Sequence, residues 1–497
     1  MHYQSTRQSA LSVPAAQAIL QGISTDGGLF VPETLPQLTQ EDIAALCGMD
    51  YMGRAKRILG LFLTDYTEAE ISAAVDGAYA SGRFDHADVA PVTALDGALS
   101  VLELWHGPTL AFKDMALQLL PRLMPLAMEK AGDGKQVLIL VATSGDTGKA
   151  ALEGFRDVAG TRIAVFYPEE GVALAQKLQM VTQEGDNVHV CAVKGNFDDA
   201  QTGVKKIFAD DAFNGALSQK GWALSSANSI NWGRLVPQIV YYFSAYADLC
   251  RRGDITVGKK VNFVVPTGNF GNILAGYYAK HMGLPVNKLV CASNRNNVLT
   301  DFFDTGRYDR TRPFYKTMSP SMDILISSNL ERLLYAICDK DEAQVSAWMA
   351  QLQGEGVYQI APEQAQKLRQ EFWAGCASEE DTAHAMAAVF QHTGYVMDTH
   401  TAVGYSVYRD YLRQTGDETH TVLVSTASPF KFSRDVMASL FGPAQAQGDE
   451  LDLAQKLAQA TGWRCPEQIA ALREMPVRHE GSCKKEEMEQ DLLRWFA

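Results

Sequence analysis

Six short apolar runs, at residues 137–141, 163–166, 188–193, 261–265, 288–292 and 421–425, alternate with helix-spaced segments and glycine-bearing turns. They are mostly apolar and show no regular alternation with polar residues. Such runs suit strands covered on both faces, and helices between them supply that cover. The pattern therefore predicts an α/β chain with doubly wound parallel sheets from about residue 95 onward.

Outside that stretch the texture differs. A short helix begins near Val13 and ends at Gly22. Asp26-Gly27-Gly28-Leu29-Phe30-Val31-Pro32 reads as a turn entering an extended segment. Amphipathic helices are expected at 40–47, 51–64 and 67–80, so residues 1–95 form a mainly helical N-terminal unit with nothing catalytic in itself. Residues 440–497 turn polar, with the cluster Lys484-Lys485-Glu486-Glu487, and are expected as helices packed on the outside. The division is 1–95, 96–435 and 436–497, with a smaller α/β subdomain at about 136–250. No internal repeat is present.

Two strand-to-helix junctions carry polar chemistry. Residues 143–148 read Thr-Ser-Gly-Asp-Thr-Gly, and residues 268–272 read Gly-Asn-Phe-Gly-Asn. A glycine-bearing loop that opens a helix turns backbone N–H groups and the positive end of the helix dipole toward one spot, which suits an anion. Neither loop is a nucleoside-triphosphate loop: Gly148-Lys149 is followed by Ala150, and position 143 is Thr. Neither is GxGxxG. Taken singly, each is equally an ordinary α/β turn.

Upstream, His106-Gly107-Pro108-Thr109 leads through Phe112 to Lys113, and Asp114 opens a run with helical spacing. A lysine at a helix N-terminus is opposed by the dipole. That suits an amine that must be neutral part of the time, as a Schiff-base lysine must; the alternative is a solvated lysine at an ordinary helix start. Ser225-Ser226-Ala227-Asn228-Ser229-Ile230-Asn231-Trp232-Gly233-Arg234 enters another long helix, with a cation in its first turn. Arg234 there serves an anion or is an exposed arginine in a capping loop. Thr426 follows the last apolar run, at the strand edge where doubly wound sheets bind ligands.

Composition narrows the partners. The net charge of −14 argues against nucleic acid, and an anionic substrate would need a local basic pocket. No apolar run approaches the ~18 residues of a membrane span, and residues 1–7 lack a signal-peptide core. The eight cysteines form no CxxC pair and no metal-ligand spacing, so reduced thiols in the cytoplasm and no metal are expected.

In this order and spacing the motifs resemble the threonine synthases, pyridoxal-phosphate (PLP) enzymes of the tryptophan-synthase-β fold family (PLP fold type II), in the longer branch with an extra N-terminal domain. Residues 3–7 and 26–32 resemble that domain. Residues 106–114 resemble the Schiff-base segment, 143–148 the substrate loop, 268–272 the cofactor phosphate loop, and 425–432 the segment beside the pyridine ring. Where many relatives read His-Pro-Ala-Lys, this chain has Ser428-Pro429-Phe430-Lys431.

The resemblance implies pyridoxal 5'-phosphate as cofactor and conversion of O-phospho-L-homoserine and water to L-threonine and inorganic phosphate. Lys113 would carry the cofactor and act as acid/base. Gly268, Asn269, Phe270, Gly271 and Asn272 would hold the cofactor phosphate, and Thr426 the pyridine nitrogen. Thr143, Ser144, Gly145, Asp146 and Thr147 would take the substrate carboxylate. Asn228, Ser229 and Arg234 would take the substrate phosphate. The longer branch points to a monomer. The rivals are a PLP phospho-lyase or dehydratase releasing 2-oxobutyrate, and a non-catalytic homologue.

Overall fold

Two parallel sheets carry most of the chain, and both grow from the apolar runs. The structure, a computed structural model, describes residues 1–80, 82–132, 134–143, 145–170, 172 and 174–496, with the side chain of residue 198 excepted. Strands β1 (His2–Ser5), β2 (Ser12–Pro14) and β3 (Phe30–Pro32) make a small antiparallel sheet, order β2-β1-β3. Helices Ala15–Gln21, Gln40–Cys47, Tyr51–Phe62 and Glu68–Tyr79 complete the N-terminal unit. Asp50 and the capping boxes at Thr39 and Thr67 start three of them.

Strands β4 (Val92–Asp96) and β5 (Leu99–Glu103) form an antiparallel pair. The chain then builds β6 (Gln136–Ala142), β7 (Thr161–Pro168), β8 (Val188–Val193) and β9 (Trp222–Ser225). It returns to the first sheet with β10 (Val261–Pro266) and β11 (Val286–Ser293), makes the pair β12 (Arg307–Asp309) and β13 (Val357–Gln359), and adds β14 (Phe372–Cys376) and β15 (Thr421–Ser425). The larger sheet runs β14-β11-β10-β15-β5-β4, parallel except for its last pair. The smaller runs β16-β8-β7-β6-β9, all parallel, where β16 is Ser482–Cys483. The C-terminal segment is thus more than outer helices: its backbone extends the smaller sheet.

Helix Trp232–Arg252 is the hub. It is buried from Trp232 to Leu249 and packs on helices Gly271–His281, Tyr51–Phe62 and Gln40–Cys47. A helix covered on all sides in this way lies in the interior, and its few polar side chains must find partners there. Its buried Asp248 pairs with Arg54 at 2.7 Å, which joins it to the N-terminal unit. Among the described residues no helix is long and apolar enough to cross a membrane.

Candidate active site

Lys113 is placed by a loop that crosses from β5 to the end of β15. Leu104 N donates to Ser425 O at 3.0 Å, and Phe112 N to Thr426 O at 2.8 Å. The turn between them closes on Asp114, whose carboxylate accepts from Thr109 N at 2.8 Å and from Thr109 Oγ1 at 2.7 Å. A Cβ on Gly107 would lie 2.6 Å from Asp114 Cβ, so this turn needs glycine there. His106 is clamped between Asp85, at 2.5 Å, and Glu103, at 2.9 Å. Burial alone would lower its pKa, but the two carboxylates outweigh burial and raise it to about 9.

Lys113 caps a helix of four residues, Asp114–Leu117. One turn carries little dipole, so the expected cause of a neutral amine is corrected. Burial is the main effect lowering the Lys113 pKa; Asp146 opposes it, and the charges of Lys431 and Arg234 add to it. Its Nζ lies 3.5 Å from Asp146 Oδ2 and 3.4 Å from Ser321 Oγ. Ser321 N donates to His400 Nε2 at 3.2 Å, and His400 Nδ1 sits 2.9 Å from buried Asp398.

The 143–148 loop leads from β6 into helix Asp146–Phe155. Thr143 Oγ1 accepts from Gly145 N at 3.1 Å and Gly148 N at 3.0 Å, bracing the loop from inside. Asp146 bridges two lysines, with Lys431 Nζ at 2.7 Å from Oδ1, and Gln176 Nε2 donates to it at 3.1 Å. Burial would raise the Asp146 pKa; the charges of Lys431 and Lys113 outweigh it and hold the carboxyl well below the usual range. An ionised carboxylate repels an anion, so this loop attracts one through the N–H groups of Asp146 and Thr147, which find no acceptor among the described residues. Ser144 lies outside the described residues.

The 268–272 loop is arranged differently. The N–H groups of Gly268, Asn269, Phe270, Gly271 and Asn272 find no acceptor among the described residues. The carbonyls are held from behind: Ser327 Oγ donates to Gly268 O at 2.6 Å, and Asn329 N and Nδ2 both donate to Asn269 O at 3.0 Å. Phe270 takes the left-handed conformation at φ 64°, just before helix Gly271–His281. Tyr241 and Tyr242 of the hub helix donate to Asn272 Oδ1 at 2.6 and 2.7 Å. Arg332 reaches the N-terminal unit by donating to Phe30 O at 2.9 Å, and it also donates to Asn329 Oδ1 at 2.5 Å. The N-terminal unit therefore buttresses this loop.

Arg234 is buried, 3% exposed, which rules out the exposed capping arginine. Nη1 donates to Ala227 O at 2.6 Å, Nε has no partner, and no carboxylate lies in ion-pair range among the described residues. Burial lowers its pKa to about 10. Asn228 is exposed, and its side chain accepts from Ser229 Oγ and Ile230 N, capping its own turn. Neither Asn228 nor Ser229 is hydrogen-bonded to Lys113, Asp146 or Arg234. Thr426, 6% exposed, lies beside the Lys113 loop with its hydroxyl unbonded to any described residue.

Lys431, Ser321, His400 and Asn329 escaped sequence reasoning as parts of the site. Lys431 stood in a quoted motif but was assigned no role, and the other three lie in no motif.

Comparison with known proteins bears on the family and the fold. Residues 93–427 match the family model "Pyridoxal-phosphate dependent enzyme", residues 2–79 match "Threonine synthase N terminus", and residues 401–486 match "Threonine synthase, C-terminal". The chain is 42% identical to "Threonine synthase-like 1" of Macaca fascicularis over 86% of its own length, but spans only 58% of that relative. It is 39% identical to the threonine synthase of Pseudomonas aeruginosa, over 96% of this chain and 98% of that one. The crystal structure of PLP-bound threonine synthase from Brucella melitensis superposes with a TM-score of 0.88 at 37% identity, covering 100% of this chain and 99% of the other.

Proposed function

The chain belongs to the threonine synthase family of pyridoxal-phosphate-dependent enzymes, and from that premise we propose that it converts O-phospho-L-homoserine and water to L-threonine and phosphate. The observation that carries this reading is a buried lysine, made less basic by its surroundings, in one site with a buried arginine that has no counter-ion among the described residues.

The residues present suit the cofactor. The five open N–H groups of the 268–272 loop would hold its phosphate. The free hydroxyl of Thr426 would face its pyridine nitrogen, and a neutral partner there does not force the ring to stay protonated. Lys113 would bond its aldehyde carbon. When bound, PLP supplies the electron sink that allows protons to leave Cα and Cβ and phosphate to leave Cγ.

This chain's residues do the rest. Lys113 would take and return the proton at Cα, and its lowered basicity favours the free amine that this role needs. Asp146 holds it in place, and Lys431 holds Asp146. The 143–148 loop binds the substrate carboxylate through its N–H groups. Arg234, with Asn228 and Ser229 on the same segment, takes the substrate phosphate. The departing phosphate, with a second pKa near 6, carries a proton while water adds at Cβ.

The same reading takes the protein as a cytoplasmic monomer, with 1–95, 96–435 and 436–497 as its N-terminal, catalytic and C-terminal units. The deciding experiment is product analysis with O-phospho-L-homoserine. Threonine and phosphate in equal amounts are expected. 2-Oxobutyrate as the main product would replace this reading with a phospho-lyase, and no turnover would indicate a non-catalytic homologue.

A further inference from the structure

His189 and Cys191 are two residues apart on β8, so their side chains leave the same face of the strand. Strand β16 lies beside β8 with Cys483 opposite Val193, which puts Cys483 on that face too. Its Sγ is 3.5 Å from Cys191 Sγ. Helix Met488–Phe496 then lays Asp491 over the cluster, with Oδ2 2.6 Å from His189 Nε2. The ligand atoms of His189, Cys191 and Asp491 all lie within 4.8 Å of one another. The thiols are buried, at 0% and 2% exposure. The nearest cation is Arg494, 3.8 Å from Asp491, and its side chain is 73% exposed.

We propose that His189, Cys191, Cys483 and Asp491 bind a divalent cation of the zinc class, and that this ion pins the C-terminal strand and helix to β8. One imidazole, two thiols and one carboxylate form a borderline-soft donor set, the chemistry zinc takes in structural sites. Zn–S bonds of about 2.3 Å set tetrahedral sulfurs roughly 3.7 Å apart, close to the separation seen. Four protein donors leave no open position, so the site is structural. Binding releases two thiol protons to solvent and leaves a thiolate pair, a carboxylate and a neutral imidazole around the ion. A disulfide between the two cysteines would use only half of the cluster and leave His189 and Asp491 paired with each other. No local spacing reveals the site, because 292 residues separate Cys191 from Cys483.

The test uses the full-length, cofactor-loaded protein, kept reduced and stripped of metal by chelator dialysis. Titration with Co²⁺ is expected to saturate at one equivalent. The difference spectrum should show thiolate-to-cobalt charge transfer and tetrahedral d–d bands, both removed by Zn²⁺. Cys191→Ser and Asp491→Asn should lose the signal. Cys483→Ser, which removes one of the two thiolate ligands, should weaken binding and halve the charge-transfer intensity. Cys250→Ser, outside the cluster, should change nothing. Cofactor absorbance, equal in all variants, shows that each is folded. The proposal is overturned if the reduced protein takes up no stoichiometric cobalt, or if Cys191→Ser binds it as well as the parent. It is equally overturned if the only chemistry found is a Cys191–Cys483 disulfide formed by oxidised glutathione.

Discussion

The 143–148 and 268–272 loops both carry the chain from the carboxyl end of a parallel strand into a helix, and a threonine opens the first and immediately precedes the second. Thr143 Oγ1 turns inward and accepts from two loop N–H groups. Thr267 Oγ1 turns back and donates to Val265 O at 2.7 Å, leaving the next five N–H groups open. An acid starts the helix after the first loop, while glycine starts the helix after the second. The first loop thus satisfies two of its own N–H groups and holds an ion-paired carboxylate, whereas the second leaves its N–H groups open to an anion. Glycine at a strand-to-helix junction fixes where N–H groups point; the neighbouring hydroxyls and acids decide whether they remain free.

Lys113 sits where the first loop's Asp146 can reach it, and its removal has the largest expected effect. Lys113→Ala should lower kcat by at least about 10²- to 10⁴-fold, the usual loss with a proton-transferring group, with the fold intact by circular dichroism. Near-normal kcat would remove the site assignment altogether and reduce both loops to turns.

Arg234 comes next, because it is a buried cation close enough to Lys113 for its charge to act on it. A buried arginine–phosphate contact is charge-assisted and often bidentate. Arg234→Ala should lower kcat/KM for O-phosphohomoserine by roughly 30-fold to several thousand-fold, or about 2–5 kcal/mol. Binding of norvaline, which has no phosphate, should be unchanged by cofactor absorbance. Arg234→Lys should recover only part of the loss. Equal damage to norvaline binding would make Arg234 a support for the fold.

Gly268→Ala tests the open loop directly. A Cβ there would lie 2.5 Å from the Ser321 carbonyl oxygen, whereas at Gly271 the nearest atom is Asn329 Nδ2 at 3.4 Å. Overpacking against backbone typically costs about 1–3 kcal/mol. Cofactor retention on dialysis should therefore weaken by roughly 5- to 150-fold in Gly268→Ala, and less in Gly271→Ala. The reverse order would place the cofactor phosphate elsewhere.

Much of the scaffold was legible because its signal is local. All six apolar runs are strands, and helix Gln40–Cys47 falls where its spacing puts it. Strand β5 was missed because Ser100 and Glu103 interrupt its apolar character, and β16 because two residues carry no period. In the site, Lys113 and the two loops stand out as motifs. The pairing of Asp146 with Lys431, and of Ser321 with His400, arises only when the two sheets are assembled. Whether Arg234 was buried or exposed depended on how residues 225–231 fold over it, and helical spacing does not say that.

The smallest expected effect bears on the braced loop, and here a substitution should lower stability and leave cofactor retention unchanged. A Cβ on Gly148 would lie 2.2 Å from Thr143 Cγ2 and 3.1 Å from Val165 Cγ1. Gly148→Ala therefore forces the Thr143 methyl aside, and with it the hydroxyl that ties Gly145 and Gly148 together. About 1–3 kcal/mol of destabilisation is expected, as for other overpacked sites. Thr143→Ser removes the obstructing methyl and keeps the hydroxyl, so the double variant should regain most of that loss. Recovery should be incomplete because the Cβ of residue 143, at 2.9 Å, and Val165 Cγ1, at 3.1 Å, remain. Urea unfolding of the two single variants and the double variant gives the coupling energy directly. A coupling near zero would mean that the glycine is needed for some other reason. A loss of cofactor retention matching that of Gly268→Ala would erase the distinction between the loops, since the braced loop would then be supporting the cofactor phosphate as well.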